Sequence, residues 1–122
     1  MQDKVFAFDK RIRYCAVLDE LGWATEGGMR PGVKSLESDS DAQRVDMQVV
    51  VTRGMNDTAQ AALGAADYIL VHRDKIVMIM FPRPAGRTVL ITAEADFPPE
   101  KVRDLLGVVD RYYQSNPAVS KD

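Results

Sequence analysis

Three apolar, β-branched runs crowd into residues 68–94, at 68–73, 76–81 and 88–94. Only Asp74-Lys75 and the Pro82-Arg83-Pro84-Ala85-Gly86 stretch interrupt them. Connections this short leave no chain for a crossover, so the runs must pair as an antiparallel meander. Their Val, Ile, Met, Phe and Tyr content suits a sheet. Residues 11–18 add an alternating strand, with Ile12, Tyr14, Ala16 and Leu18 on one side and Arg11 and Arg13 on the other. Asp19-Glu20-Leu21-Gly22 reads as a turn, and residues 23–26 as a hairpin partner ended by Gly27-Gly28.

Two helical patterns are expected to cover this sheet. Ser40-Asp41-Ala42-Gln43 has the form of a capping box. A long helix is expected from there to about Leu63, closed by Gly64 in a left-handed conformation. Met47, Val51, Gly54, Met55, Thr58, Ala59 and Ala62 fall on one stripe, which is expected to face the sheet. The β-branched run Val49-Val50-Val51-Thr52 works against helix, but the periodicity spans five turns. The last helix opens at Pro98-Pro99-Glu100 and carries Val102, Leu105, Leu106, Val109 and Tyr113 on one face. A turn or two of helix over residues 2–10 would bring Val5, Phe6 and Phe8 to the core.

The expected class is therefore α+β: a five-stranded antiparallel sheet flanked by helices, in the order α-β-β-α-β-β-β-α. The 122 residues fit one domain, expected over 1–114, with a small, polar, Pro-interrupted tail over 115–122. Net charge −2, with no run of more than two basic residues, argues against nucleic acid and against an anionic membrane surface as partners. Cys15 is the single cysteine, so an intrachain disulfide is excluded. That composition, with no signal-peptide pattern at the start and no apolar run of spanning length, leads us to expect a cytoplasmic protein.

Several strings resemble a known family. They are Lys10-Arg11-Ile12-Arg13-Tyr14-Cys15-Ala16-Val17-Leu18-Asp19, then Gly22 and Gly27-Gly28-Met29-Arg30-Pro31-Gly32, then Leu63-Gly64 ahead of Tyr68-Ile69-Leu70-Val71-His72-Arg73-Asp74-Lys75. With the order of elements, they resemble the roadblock/dynein light chain family of the longin and profilin-like group, above all its small archaeal roadblock-like proteins. The resemblance covers roughly residues 4–113 and departs nowhere toward a catalytic motif. It implies homodimers or heterodimers formed through the long helix and the strand after it. It also implies scaffolding or regulation of small GTPases, motors or other signalling proteins.

No residue pattern supports chemistry. His72 is the only histidine and has no Cys or carboxylate pair at ligand spacing. Cys15 sits among apolar strand residues with no activating base in sequence. Glu37, Asp39 and Asp41 alternate like half a calcium loop, but the required Gly and the final Glu are missing, Gln48 standing at the last place. The 27–32 glycine segment lacks the Lys-Ser or Lys-Thr of a phosphate loop; a strand-end loop is expected over an anion contact by Arg30. No catalytic, cofactor or metal residue is assigned.

The expected site is a protein contact. Val45 and Val49 are read as pointing away from the main stripe of the long helix, near Arg53. The strand carrying Tyr68, Leu70 and His72 follows the helix and can lie at a sheet edge, where free amides and carbonyls invite pairing. The partner is a second copy of the chain, with a small GTPase or other signalling protein beyond it. Two rival readings remain. The N-terminal segment could cover the second face, or the domain could be a small-molecule sensor of PAS or GAF type, which needs an enclosed cavity above roughly 300 Å³.

Overall fold

The meander forms as its short turns require. In the computed structural model, which describes residues 1–116, β3 (Ile69–His72), β4 (Ile76–Pro82) and β5 (Thr88–Glu94) pair in sequence. The far side of β5 pairs with β1 (Ile12–Leu18), and β1 pairs with β2 (Ala24–Met29). Every pairing is antiparallel, and the sheet order is β2-β1-β5-β4-β3. The two edges are therefore β2 and β3. The expected α+β class and order of elements are observed. The tail expected over 115–122 lies outside the described residues, apart from Ser115, which ends the last helix, and Asn116.

Strand alternation divides the sheet into two faces. One face carries Cys15, Val17, Ile79, Phe81, Val89 and Ile91. It lies beneath α1 (Gln2–Phe8) and the last helix, α4 (Val102–Ser115). Val5, Val102, Leu105, Val109 and Tyr113 are the buried residues these helices bring to that core. A short 3₁₀ turn, Pro99–Lys101, starts the helical chain into α4, with Pro99 in its first position. Leu106, expected in the centre of the stripe, is only half-buried; its neighbour Leu105 takes the central place.

Two polar groups fix α1 against this layer. The Asp9 carboxylate accepts from the Arg11 amide at 2.8 Å, from the Arg11 guanidinium at 2.8 and 3.0 Å, and from Lys101 Nζ at 3.0 Å. The Arg30 guanidinium donates to the carbonyls of Ile12, Phe6 and Asp9 at 2.6–2.8 Å and lies over the Phe6 ring. Helix, first strand and second strand are thereby tied together at one corner. The N-terminal segment joins α4 here, so it does not serve as the cover for the other face.

The hairpin differs from its expected bounds. Asp19 Oδ1 accepts from the amides of Leu21 and Trp23, both at 2.9 Å, and Gly22 adopts φ +88°. β2 then starts at Ala24 and runs through the two glycines to Met29. Gly27 is required rather than disruptive. A Cβ there would stand 2.2 Å from the Cys15 carbonyl oxygen and 2.6 Å from Ala16 Cα.

The second face, with Leu18, Met78, Met80 and Leu90, lies under α2 (Asp39–Asp57). Ser38, not Ser40, caps this helix, its hydroxyl accepting from Asp41 N at 3.2 Å. The helix breaks after Asp57; a single turn, α3 (Gln60–Leu63), follows, and Gly64 ends it at φ +87°. The face presented to the sheet is the reverse of the one expected. Val49 is fully buried in the second cluster and Val45 packs half-buried beside it. Met47, Val51 and Met55 point outward, 50%, 55% and 69% exposed. The physical reason is Arg53, which shares the Val45–Val49 stripe. Its guanidinium reaches the Arg87 carbonyl and Thr88 Oγ1, on and beside β5, and also pairs with Asp57. A stripe ending in a hydrogen-bonded Arg whose stem packs down can bury a face that looks half polar in sequence.

Two measurements check this account. Leu105→Ala should cost about 2–5 kcal/mol of stability, and Leu106→Ala clearly less, because its side chain is already partly in water. Equal shifts in the urea midpoint would contradict the assigned orientation of α4. Asp9 sets an acid limb. Its hydrogen bonds to Arg11 hold the carboxyl well below the ordinary aspartate value of about 3.9, against an opposing burial effect. The contribution is full above that ordinary value and is lost as pH falls through the depressed folded one. Asp9→Asn should lower stability at neutral pH and flatten the decline below pH of about 4, read as melting temperature against pH.

Candidate functional site

The outer surface of α2 is built by position. With Val45, Val49 and Arg53 turned down, residues 47, 51 and 55 must stand outward, four apart on one line. The β1–β2 turn rises beside this line. Gly22 is buried against the helix, its Cα region facing Met47 Sδ and Val50, and the flanking Leu21 and Trp23 remain more than half exposed. The result is one apolar surface running from Trp23 and Leu21 over Met47 to Val51 and Met55. Contiguous apolar surface on a small domain marks a contact site more often than scattered exposed residues do.

β3 borders the same side of the sheet. One of its ladders is taken by β4 in the register Ile69↔Met80, Leu70↔Ile79, Val71↔Met78 and His72↔Val77, and no described strand pairs with its other side. Ile69 and Val71, with Ile76 of β4, are half-buried on the α2 side. Tyr68 and Leu70 pack on the α4 side, Tyr68 edge-on to Phe81 and under the Arg103 guanidinium.

The expected contact residues thus separate. Val49 is withdrawn from the surface altogether, and Val45 is turned to the sheet. Arg53 is engaged with the β4–β5 connection and Asp57. Tyr68 and Leu70 flank or lie on the edge strand but are half-buried in the α4 layer. His72 is exposed, its Nε2 3.1 Å from the Ala95 carbonyl. Met47, Val51 and Met55 form a stripe in sequence that points outward and not to the sheet; nothing in the periodicity marks which stripe faces out.

The groups weighed for chemistry have structural surroundings. The Cys15 thiol is buried, and burial pushes its pKa up to about 12, so it stays a thiol. Arg30 spends its guanidinium on three backbone carbonyls and is not presented to an anion. Among the described residues, no three His, Cys, Asp or Glu side chains are grouped as metal ligands would be. No described helix is long and apolar enough to cross a membrane.

A groove of about 680 Å³ opens between the first half of α2 and the sheet. It is bounded by the 35–37 loop and the 73–75 turn and is open to solvent. It is not the enclosed chamber expected of a PAS or GAF sensor.

No protein-family model matches the chain, and no curated protein matches it. Solved structures do. A roadblock/LC7 domain from Streptomyces avermitilis superposes with TM-score 0.59 at 12% identity, covering 93% of this chain and 94% of that one. The gliding protein MglB from Thermus thermophilus gives 0.64 at 10% identity, covering 93% and 85%. MglC from Myxococcus xanthus gives 0.56 at 17% identity, covering 94% and 97%. The chain of 122 residues shares the fold of these roadblock/LC7, MglB and MglC structures.

Proposed function

We propose that the chain is a non-catalytic interaction domain that pairs with a second copy of itself and acts in the cytoplasm as a scaffold or regulator with signalling or GTPase-type partners. The observation that carries this is α2, whose inner stripe already covers the sheet while its outer stripe of Met47, Val51 and Met55 lies in water. The edge strand β3, flanked by Tyr68 and carrying Leu70 and His72, has a second ladder that no described strand pairs with. Strand addition along β3 would satisfy those backbone groups and bring a second α2 alongside the first.

The fold agrees with this reading. A further similar structure, at TM-score 0.68 and 12% identity, is of MglB in a tetrameric arrangement. Association between copies is thus compatible with this architecture. The resemblance to roadblock proteins is what supports partners of GTPase type.

An interface of this kind should bury over about 1,000 Å² in total. Sedimentation velocity at low micromolar concentration should therefore show a species near twice 13.6 kDa. Val51→Glu should shift it toward monomer with little change in melting temperature, since Val51 is exposed in the single chain. Val49→Glu should instead unfold the domain, because a carboxylate would enter the second core cluster unpaired. A single 13.6 kDa species for the unaltered chain would end the proposal.

A further inference from the structure

The groove under α2 has a specific construction that the pairing of copies does not use. α2 is fastened to the sheet from its middle onward, by the buried Val49 and by Arg53 on the Arg87 carbonyl and Thr88. Before Val49 only Val45 packs toward the sheet, and a groove of about 680 Å³ is left beside it. The floor follows one register row, Met29–Tyr14–Thr92–Met78, across β2, β1, β5 and β4, with Leu90 and Ile76 beside it. The volume lies within the roughly 300–1,000 Å³ range of small-molecule sites. Two thioethers in the floor give it a surface that adapts to irregular apolar shapes.

The charges around it are unevenly satisfied. Asp46 of α2 is half-buried on this groove, and among the described residues its carboxylate accepts no hydrogen bond and pairs with no cation. Burial, then the neighbouring Glu37, raises its pKa to about 6. Burial and Asp41 raise that of Glu37 as well. The phenol of Tyr14 faces the same acids; burial first, then Asp46, pushes it up to about 12. Of the cations on the groove, Arg13 is engaged, Arg73 and Lys75 sit at the far end, and Arg44 is exposed at the rim. Arg13 is held by Glu94 and by the Lys34 carbonyl, and Arg44 reaches toward Asp41 at 4.0 Å. Arg73 and Lys75, with Asp74 between them, sit on the β3–β4 turn, separated from Tyr14 by β4 and β5.

We propose that this groove is a binding site for a small organic cation, an ammonium or guanidinium carried on an apolar body. The cation would sit at Asp46 and Glu37 beside the Tyr14 ring, and its body along Met78, Leu90 and Ile76. The Asp46 carboxylate is partly screened from water, and an ion pair formed there against an apolar floor is stronger than the same pair in bulk water. An aromatic ring beside the acids adds the kind of surface on which organic cations settle. An anion is disfavoured at this end by both carboxylates. Arg73 and Lys75 repel a cation at the other end, which fixes the orientation of the ligand. The proposal needs no second copy of the chain and does not rest on the pairing reading.

The test uses the unaltered chain and three probes: phenethylammonium, phenylacetate and a Lys-containing pentapeptide. Binding is followed by shifts of backbone amide resonances. Phenethylammonium should give saturable shifts centred on Tyr14, Glu37, Asp46, Met78 and Leu90, and phenylacetate none there. Asp46→Asn should weaken the amine by about tenfold or more, with folding intact, since it removes an unpaired charge and not a contact. Binding should also weaken as pH drops through about 6, as Asp46 gains its proton. Should Asp46→Asn fail to fold, Glu37→Gln, on the exposed loop, must still weaken the amine. Equal binding of the acid, absence of saturation, or shifts centred elsewhere would overturn the site. Pentapeptide binding about tenfold tighter than the amine would overturn the small-ligand assignment in favour of a partner's side chain.

Discussion

Strand β5 is hydrogen-bonded on both sides and buried on both faces, and the other elements take their places from it. Val89, Ile91 and Ala93 point to the α1/α4 layer, and Leu90 points to α2. A strand in that position cannot tolerate a shift of register by one residue, because every side chain would change face. The continuous pairing of β5 with β4 from Ile76↔Glu94 to Pro82↔Thr88 leaves no such freedom. The two layers on its faces are unequal. The α1/α4 layer continues the core on a broad front, whereas α2 touches the sheet through a stripe one residue wide.

That inequality decides what each layer can do. The first layer is locked at its corner by Asp9 and Arg30, charged groups whose partners are backbone carbonyls, an amide and opposite charges. Buried ionic groups hold such an arrangement only when nearly all their capacity is met. Arg30 there makes three carbonyl contacts, which is why its position after the two glycines has a structural use and not an anion-binding one. The second layer lacks an equivalent lock at the start of α2. It has Val49, Arg53 and open space, so its two surfaces, the outer stripe and the inner groove, remain available for contact.

Most of the architecture was legible in sequence because it is dictated locally. Short turns force the meander, and alternation identifies β1. Ile12, expected beside Tyr14 and Leu18, instead lies across a register shift in the α1/α4 core with Cys15 and Val17, so both faces of the strand are covered. The spacing of Val102, Leu105, Val109 and Tyr113 identifies the buried face of α4. Gly64 ends α3 with the positive φ its position suggested, but its ψ of 169° is extended and not left-handed helical, and the long helix it was expected to close already stops at Asp57. The misreadings occur where a local pattern has two solutions. Ser38 and Ser40 are both followed three residues on by a side chain that can complete a cap, Asp41 and Gln43, and the hydrogen bond of the Asp41 amide chooses the first. Gly27 reads as a breaker until the Cys15 carbonyl passes within reach of its missing Cβ.

The reversed helix shows the deeper limit. Periodicity states which residues of α2 share a face, but not which face meets the sheet. A larger apolar stripe is the ordinary choice for the inside, and Met47–Val51–Met55 is the larger one. It stays outside because the inner position must also accept Arg53 on the β4–β5 connection, and only the Val45–Val49–Arg53 line offers a cation four residues beyond a buried valine. The inner stripe thus combines the burial of Val45 and Val49 with hydrogen bonds from a guanidinium, so the size of an apolar stripe alone does not decide the face. The methionines left outside are then an exposed apolar line on an otherwise satisfied domain. A surface contact has more use for such a line than a core does, since flexible thioethers can fit a partner without a fixed shape of their own.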